Sequence, residues 1–131
     1  MEFFEETNRT HIDSVELKTL LSISNLPKLC NSIDKVITDN ITNGTIFCLW
    51  GEFNINREEL NDGVRFTMPG CPNAFTWTIT TAEDDMLHIH CTIKQRTHEP
   101  DFIASIEDFT HDWKAGLNLA LESNTQLKSA N

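Results

Sequence analysis

At 131 residues the chain is long enough for one domain with a real core and too short for two comfortable ones. Its 39% hydrophobic content, with eight Phe and three Trp, excludes a disordered body, and no run approaches the ~18 to 20 apolar residues of a membrane-crossing helix. Twenty acidic against ten basic side chains give a net charge of -10, which repels nucleic-acid phosphates and excludes binding through a broad basic surface.

The same charge suits solubility, and it also suits electrostatic steering toward a basic protein partner. The first ten residues, MEFFEETNRT, are acidic where a secretory signal is basic, and no apolar segment follows. A cytoplasmic location is therefore expected. Cys30, Cys48, Cys71 and Cys91 form no CxxC pair, so reduced thiols are expected rather than a disulfide framework.

Residues 1–12 hold three glutamates and no sustained period, which predicts a loose N-terminal arm whose Phe3 and Phe4 could dock on the body or on a second subunit. Over 13–24 two patterns compete. Val15, Leu17, Leu21 and Ile23 suit alternation, and Leu17, Leu20, Leu21 and Ser24 suit a helix; the balance tips to a strand. Leu26, Leu29, Cys30, Ile33, Val36, Ile37 and Ile41 then recur at helical spacing. With Pro27 in the first turn and Asn43-Gly44 as a stop, they predict a helix of about four turns.

Residues 45–56, TIFCLWGEFNIN, predict one strand with Phe47, Leu49, Phe53 and Ile55 inward, and Cys48, Trp50, Glu52 and Asn54 outward. Residues 57–62 are polar enough for a loop or a single turn. A β-hairpin follows over 63–81: Val64, Phe66 and Met68 alternate with polar residues, Pro69-Gly70-Cys71-Pro72-Asn73 reverses the chain, and Phe75, Trp77 and Ile79 alternate with threonines. Met86 to Lys94 continues the pattern, with Leu87, Ile89, Cys91 and Ile93 inward and His88, His90, Thr92 and Lys94 outward. After a turn over 96–99, Phe102, Ile106, Phe109, Trp113, Leu117 and Ala120 form a stripe at spacings of three and four, which predicts a core-forming final helix. The polar tail 123–131 is expected to fray.

Together these elements predict a single α+β domain over 1–131, an antiparallel β-meander of four to five strands with two amphipathic helices packed on one face. The other face gathers Trp50, Arg65, His88 and His90 among threonines, and Trp and Arg are the usual anchors of interfaces. Asp101, Asp108 and Asp112 add an acidic ridge on the last helix. The function expected first is a non-enzymatic protein-binding module of adaptor, chaperone or inhibitor type. It would use Trp50, Arg65, His88, His90, Asp101, Asp108 and Asp112 against a basic partner or a second copy of the chain. In size and charge the chain resembles small secretion chaperones and toxin-immunity proteins, without a matched motif.

The alternative comes from element order. With 13–24 as a strand, the succession strand, helix, meander, long final helix resembles an abbreviated helix-grip domain. That resemblance implies an apolar ligand held between sheet and last helix, with Phe66, Phe75, Trp77, Phe109 and Trp113 lining the cavity.

A third reading rests on His88-Ile89-His90, which puts two imidazoles on one strand face within reach of a shared metal, with Cys48 as a candidate third ligand. A pair without a located third ligand makes no site, so neither metal nor cofactor is expected, and a metal-dependent enzyme ranks last. Cys71, exposed by its turn, has no basic neighbour there to activate it. GxSxG, HExxH and glycine-rich phosphate loops are absent, and the chain has no tyrosine.

Overall fold

The computed structural model describes residues 1–94 and 98–129, with side chains as far as 122. Residues 95–97 of the turn ahead of the last helix, and 130–131 of the expected tail, lie outside the described residues. The elements are β1 (Glu2–Glu6), α1 (Ser14–Leu20), a 3-10 turn (Ile23–Asn25), α2 (Leu26–Leu29), β2 (Ile33–Asp39), β3 (Asn43–Cys48), β4 (Gly51–Glu59), β5 (Gly63–Thr67), β6 (Thr76–Thr80), β7 (His88–Thr92) and α3 (Pro100–Ser129). The strands form one antiparallel seven-stranded sheet in the order β1-β7-β6-β5-β4-β3-β2.

The hairpin and its neighbour keep the predicted parity. Val64, Phe66, Trp77, Ile79, Ile89 and Cys91 are buried, while Arg65, Thr78, His88 and His90 lie on the outer face. The α3 stripe also stands: Ile106, Phe109, Trp113 and Leu117 are fully buried and Phe102 is half-buried. Each large side chain so removed from water contributes roughly 1.5 to 3 kcal/mol, which makes the sheet–α3 contact the core of the molecule. α3 is helical to Ser129, past the point where fraying was expected to begin.

Five expectations are corrected. Met1 to Glu6 is not a loose arm, because β1 pairs with β7 along its whole length and closes the sheet edge there. Residues 13–24 hold a helix rather than a strand. Asp13 caps α1 by accepting from the Glu16 backbone N–H at 2.8 Å, and Leu17 and Leu21 are fully buried.

The long helix over 26–41 does not form. α2 stops at Leu29, and β2 follows with register shifts between Ile33 and Lys35 and between Val36 and Thr38. Each bulge adds a residue to one strand, so Ile33 and Val36, three apart, both turn inward and imitate a helical period. The β-branched Ile33, Val36, Ile37 and Thr38 favour the strand.

Residues 45–56 are two strands rather than one. Cys48 pairs with Gly51 across a two-residue turn, and Gly51 has φ 113, a conformation open to glycine. The parity ahead of the turn is inverted, with Ile46 and Cys48 buried and Phe47 and Leu49 exposed. Residues 57–59, expected as loop, extend β4. Arg57 turns inward, donating from Nε to Leu21 O at 2.9 Å and from a terminal nitrogen to Lys18 O at 2.8 Å, so it holds the end of α1.

Candidate functional site

The β3–β4 and β5–β6 turns lie at the same end of the meander, and the first turn of α3 reaches that end. Between them lies a pocket of about 210 Å³ lined by Trp50, Phe53, Met68, Cys71, Pro72, Asn73, Phe75 and Phe102. Its residues come from three separate segments. The β5–β6 connection is held by bonds from Met68 N to Phe75 O, Cys71 N to Met68 O and Ala74 N to Cys71 O, while Lys94 N donates to Asn73 O. Trp50 is fixed as well: its ring lies 5.1 Å from Phe75, 5.2 Å from Phe109 and 6.3 Å from Phe102.

Among the described residues the lining has no carboxylate, amine, guanidinium or imidazole. Its polar groups are the Asn73 amide and the half-buried Cys71 thiol. Such a lining offers apolar area and, in its described residues, no charge to neutralise that of a ligand.

Of the residues proposed to line a ligand cavity, Phe75 does so. Phe66, Trp77, Phe109 and Trp113 are buried behind it and fill the space under α3 with one another. Phe66 stacks on Trp77 at 5.0 Å, Trp77 meets Phe109 edge-on at 5.2 Å, and Trp113 lies 6.5 Å from Trp77. The indole N–H groups of Trp77 and Trp113 are buried without a hydrogen-bond partner among the described residues. Each such orphan costs roughly 1 to 3 kcal/mol.

Of the residues proposed to bind a partner, Trp50 is displaced to the inner side, because the tight turn swings its ring under the sheet. Arg65 and His90 do share the outer face. Cross-strand register sets Glu58, Arg65, Thr78, His90 and Phe4 in one row across four strand boundaries. Arg65 pairs with Glu58 at 3.1 Å, His90 with Glu2 at 3.1 Å and His88 with Asp84 at 2.8 Å. Phe4 is 54% exposed and packs edge-on against His88. Asp101 and Asp108 are exposed, and Asp112 accepts a bond from Ser32 Oγ that ties α3 to the start of β2.

Cys48 is buried on the inner side with its Sγ directed to Gly51 O, so it does not join His88 and His90 on the outer face. The pocket residues Phe53, Met68, Pro72, Asn73 and Phe102 were missed as a site. The Pro-Gly-Cys-Pro-Asn turn was the signal for one of its walls.

A larger open groove of about 690 Å³ lies at the other end of the strands, between α1 and the β2–β3 turn. Its lining includes Lys18, Asp39, Arg57 and Glu59, and Arg57 is engaged in holding α1. The smaller pocket, uncharged in its described lining, is the better candidate for a discriminating site.

No protein-family model matches the chain, and no curated protein matches it by sequence. The architecture is that of a helix-grip-like α+β fold, an antiparallel seven-stranded sheet with a long C-terminal helix. A START superfamily protein from Mycobacterium smegmatis has a similar structure, with a TM-score of 0.60 over 94% of this chain and 97% of that one, at 10% identity. At that identity the likeness concerns the fold. No helix among the described residues is long and apolar enough to cross a membrane.

Proposed function

We propose that the protein binds a small, uncharged, mainly apolar molecule in the pocket at the N-terminal end of α3. The observation that carries this reading is a pocket of about 210 Å³, uncharged in its described lining, walled by aromatic rings from separate segments and fixed by hydrogen bonds. A dry cavity of roughly 150 Å³ accommodates benzene, so this one suits a ligand of one or two fused rings or a short acyl chain. The helix-grip-like fold supports the same reading.

The test is a thermal-shift and tryptophan-fluorescence screen of neutral aromatic and acyl compounds against the wild type and Cys71→Phe, which fills the pocket. Compounds that stabilise the wild type are expected to lose their effect on Cys71→Phe. A screen in which no compound stabilises the wild type, or in which both proteins respond alike, overturns the assignment.

A second reading keeps a protein partner on the outer sheet face, and the exposed ring of Phe4 in line with His90 and Arg65 favours it. Phe4→Ser and Arg65→Ala together would abolish such binding without disturbing ligand stabilisation. A partner retained by the double variant counts against this face.

A further inference from the structure

Three side chains from separate segments meet where β6 turns into β7. Glu6 and His88 are register partners on adjacent strands, so they leave the sheet on the same outer face with Cβ atoms roughly 5 Å apart. Asp84, in the turn, reaches the same spot, its Oδ2 lying 2.8 Å from His88 Nε2. One oxygen from each carboxylate and one imidazole nitrogen all fall within 4.8 Å of one another.

The backbone around this cluster is already fixed. Asp84 Oδ1 accepts from Met86 N at 3.0 Å, which orients the carboxylate. Thr7 N donates to Leu87 O at 3.0 Å, Leu87 N donates to Thr7 Oγ1 at 2.9 Å, and Thr10 N donates to Asp85 O at 2.7 Å. The Phe4 ring stands edge-on to His88 at 5.3 Å. An arriving ion therefore has only side-chain torsions to order, which keeps the cost of binding low.

We infer that Glu6, Asp84 and His88 bind a divalent cation of the zinc type, clamping the first strand to the β6–β7 turn. One imidazole nitrogen with two carboxylate oxygens is a borderline donor set, suited to zinc or its first-row neighbours rather than to the all-oxygen preference of calcium and magnesium. Two carboxylates and a neutral imidazole balance the charge of the ion. At zinc–ligand distances of about 2.0 to 2.2 Å, ligand atoms in a tetrahedron stand roughly 3.3 Å apart. His88 and Asp84 then separate by about half an ångström, and Glu6 swings in to meet them. Water completes the shell.

The rival description is a bare His88–Asp84 ion pair, and Glu6 separates the two, because that pair needs no third group. The full-length chain, stripped with chelator, is titrated with zinc chloride by calorimetry and thermal melting, and with cobalt chloride by visible absorption. One equivalent is expected to bind and raise Tm, with a cobalt spectrum free of thiolate charge-transfer bands. Glu6→Gln and His88→Ala are each expected to weaken binding roughly tenfold or more, and His90→Ala is expected to leave it unchanged. Glu6→Gln is an isosteric surface change, so it keeps the test valid if His88→Ala folds poorly. Absence of binding, a thiolate spectrum, or equal affinity in the wild type and Glu6→Gln overturns the site.

Discussion

The indole Nε1 of Trp50 donates to Ser105 Oγ at 2.9 Å, and that hydroxyl donates to Phe102 O one turn back in α3 at 2.6 Å. A side chain in the β3–β4 turn is thereby locked to the helix start that forms the facing wall of the pocket. Ser105→Ala removes both bonds and leaves the indole N–H of a half-buried ring unpartnered. A loss of about 1 kcal/mol is expected in denaturant melts with an unchanged slope, together with weaker binding of any pocket ligand. Full retention of ligand affinity would show that Trp50 needs no such anchor.

The four thiols are expected to divide sharply in reactivity. Cys71 is half-buried on the pocket wall, whereas Cys30, Cys48 and Cys91 are buried. A small alkylating reagent is expected to modify Cys71 alone in the native protein, as read by intact mass, and a bound pocket ligand is expected to slow that reaction. Equal labelling of two or more cysteines would contradict the burial described above.

Alkaline stability follows from the same burial. Desolvation pushes the Cys91 thiol from its ordinary 9.0 up to about 12, against a lowering contribution from Thr110, and it raises Cys30 and Cys48 as well. Above pH 9 the unfolded chain sheds these protons while the folded one keeps them. Stability is therefore complete below pH 9 and falls as pH climbs toward 12, by roughly 1.4 kcal/mol per pH unit for each fully protected thiol. Cys91→Ala is expected to flatten the slope of stability against pH between 9 and 12, whatever its effect on stability at neutral pH.

Gly116 tests the contact between α2 and α3. A Cβ there would collide with the backbone carbonyl of Leu29, and a backbone atom has no rotamer by which to retreat. Ala is favoured over Gly inside a helix by roughly 1 kcal/mol, but overpacking of this kind costs about 1 to 3 kcal/mol. Net destabilisation of Gly116→Ala is expected in thermal or urea melts. A stabilised variant would mean that α2 can move away from α3.

Where one face of an element is uniformly apolar, the chain announces its structure. Val64 to Thr80 and His88 to Thr92 show their strands and faces by strict alternation, and Phe102 to Leu117 show the final helix by spacings of three and four, because burial on one side acts on every residue of the element. β2 is concealed by the same logic, since its bulges break the alternation and put residues three apart on one face. β1 is too short and too acidic to be seen alone. Its place depends on β7, more than eighty residues away, offering an unpaired edge.

The site divides in the same way. Phe75 is legible as a buried aromatic and Cys71 as a turn residue, but nothing local puts either of them next to Trp50 or Phe102. That proximity requires the two-residue turn at Gly51, which inverts the parity ahead of it and turns an indole from the outer face to the inner. Over 64–93 and along the final helix, periodicity alone settled which rings and aliphatic chains leave water; ahead of Gly51 it did not, since Ile37, Phe47 and Leu49 are exposed. Which of them border an opening, and which merely fill the space behind it, depended on strand register and on the docking of α3, because those set distances between segments that no local pattern encodes.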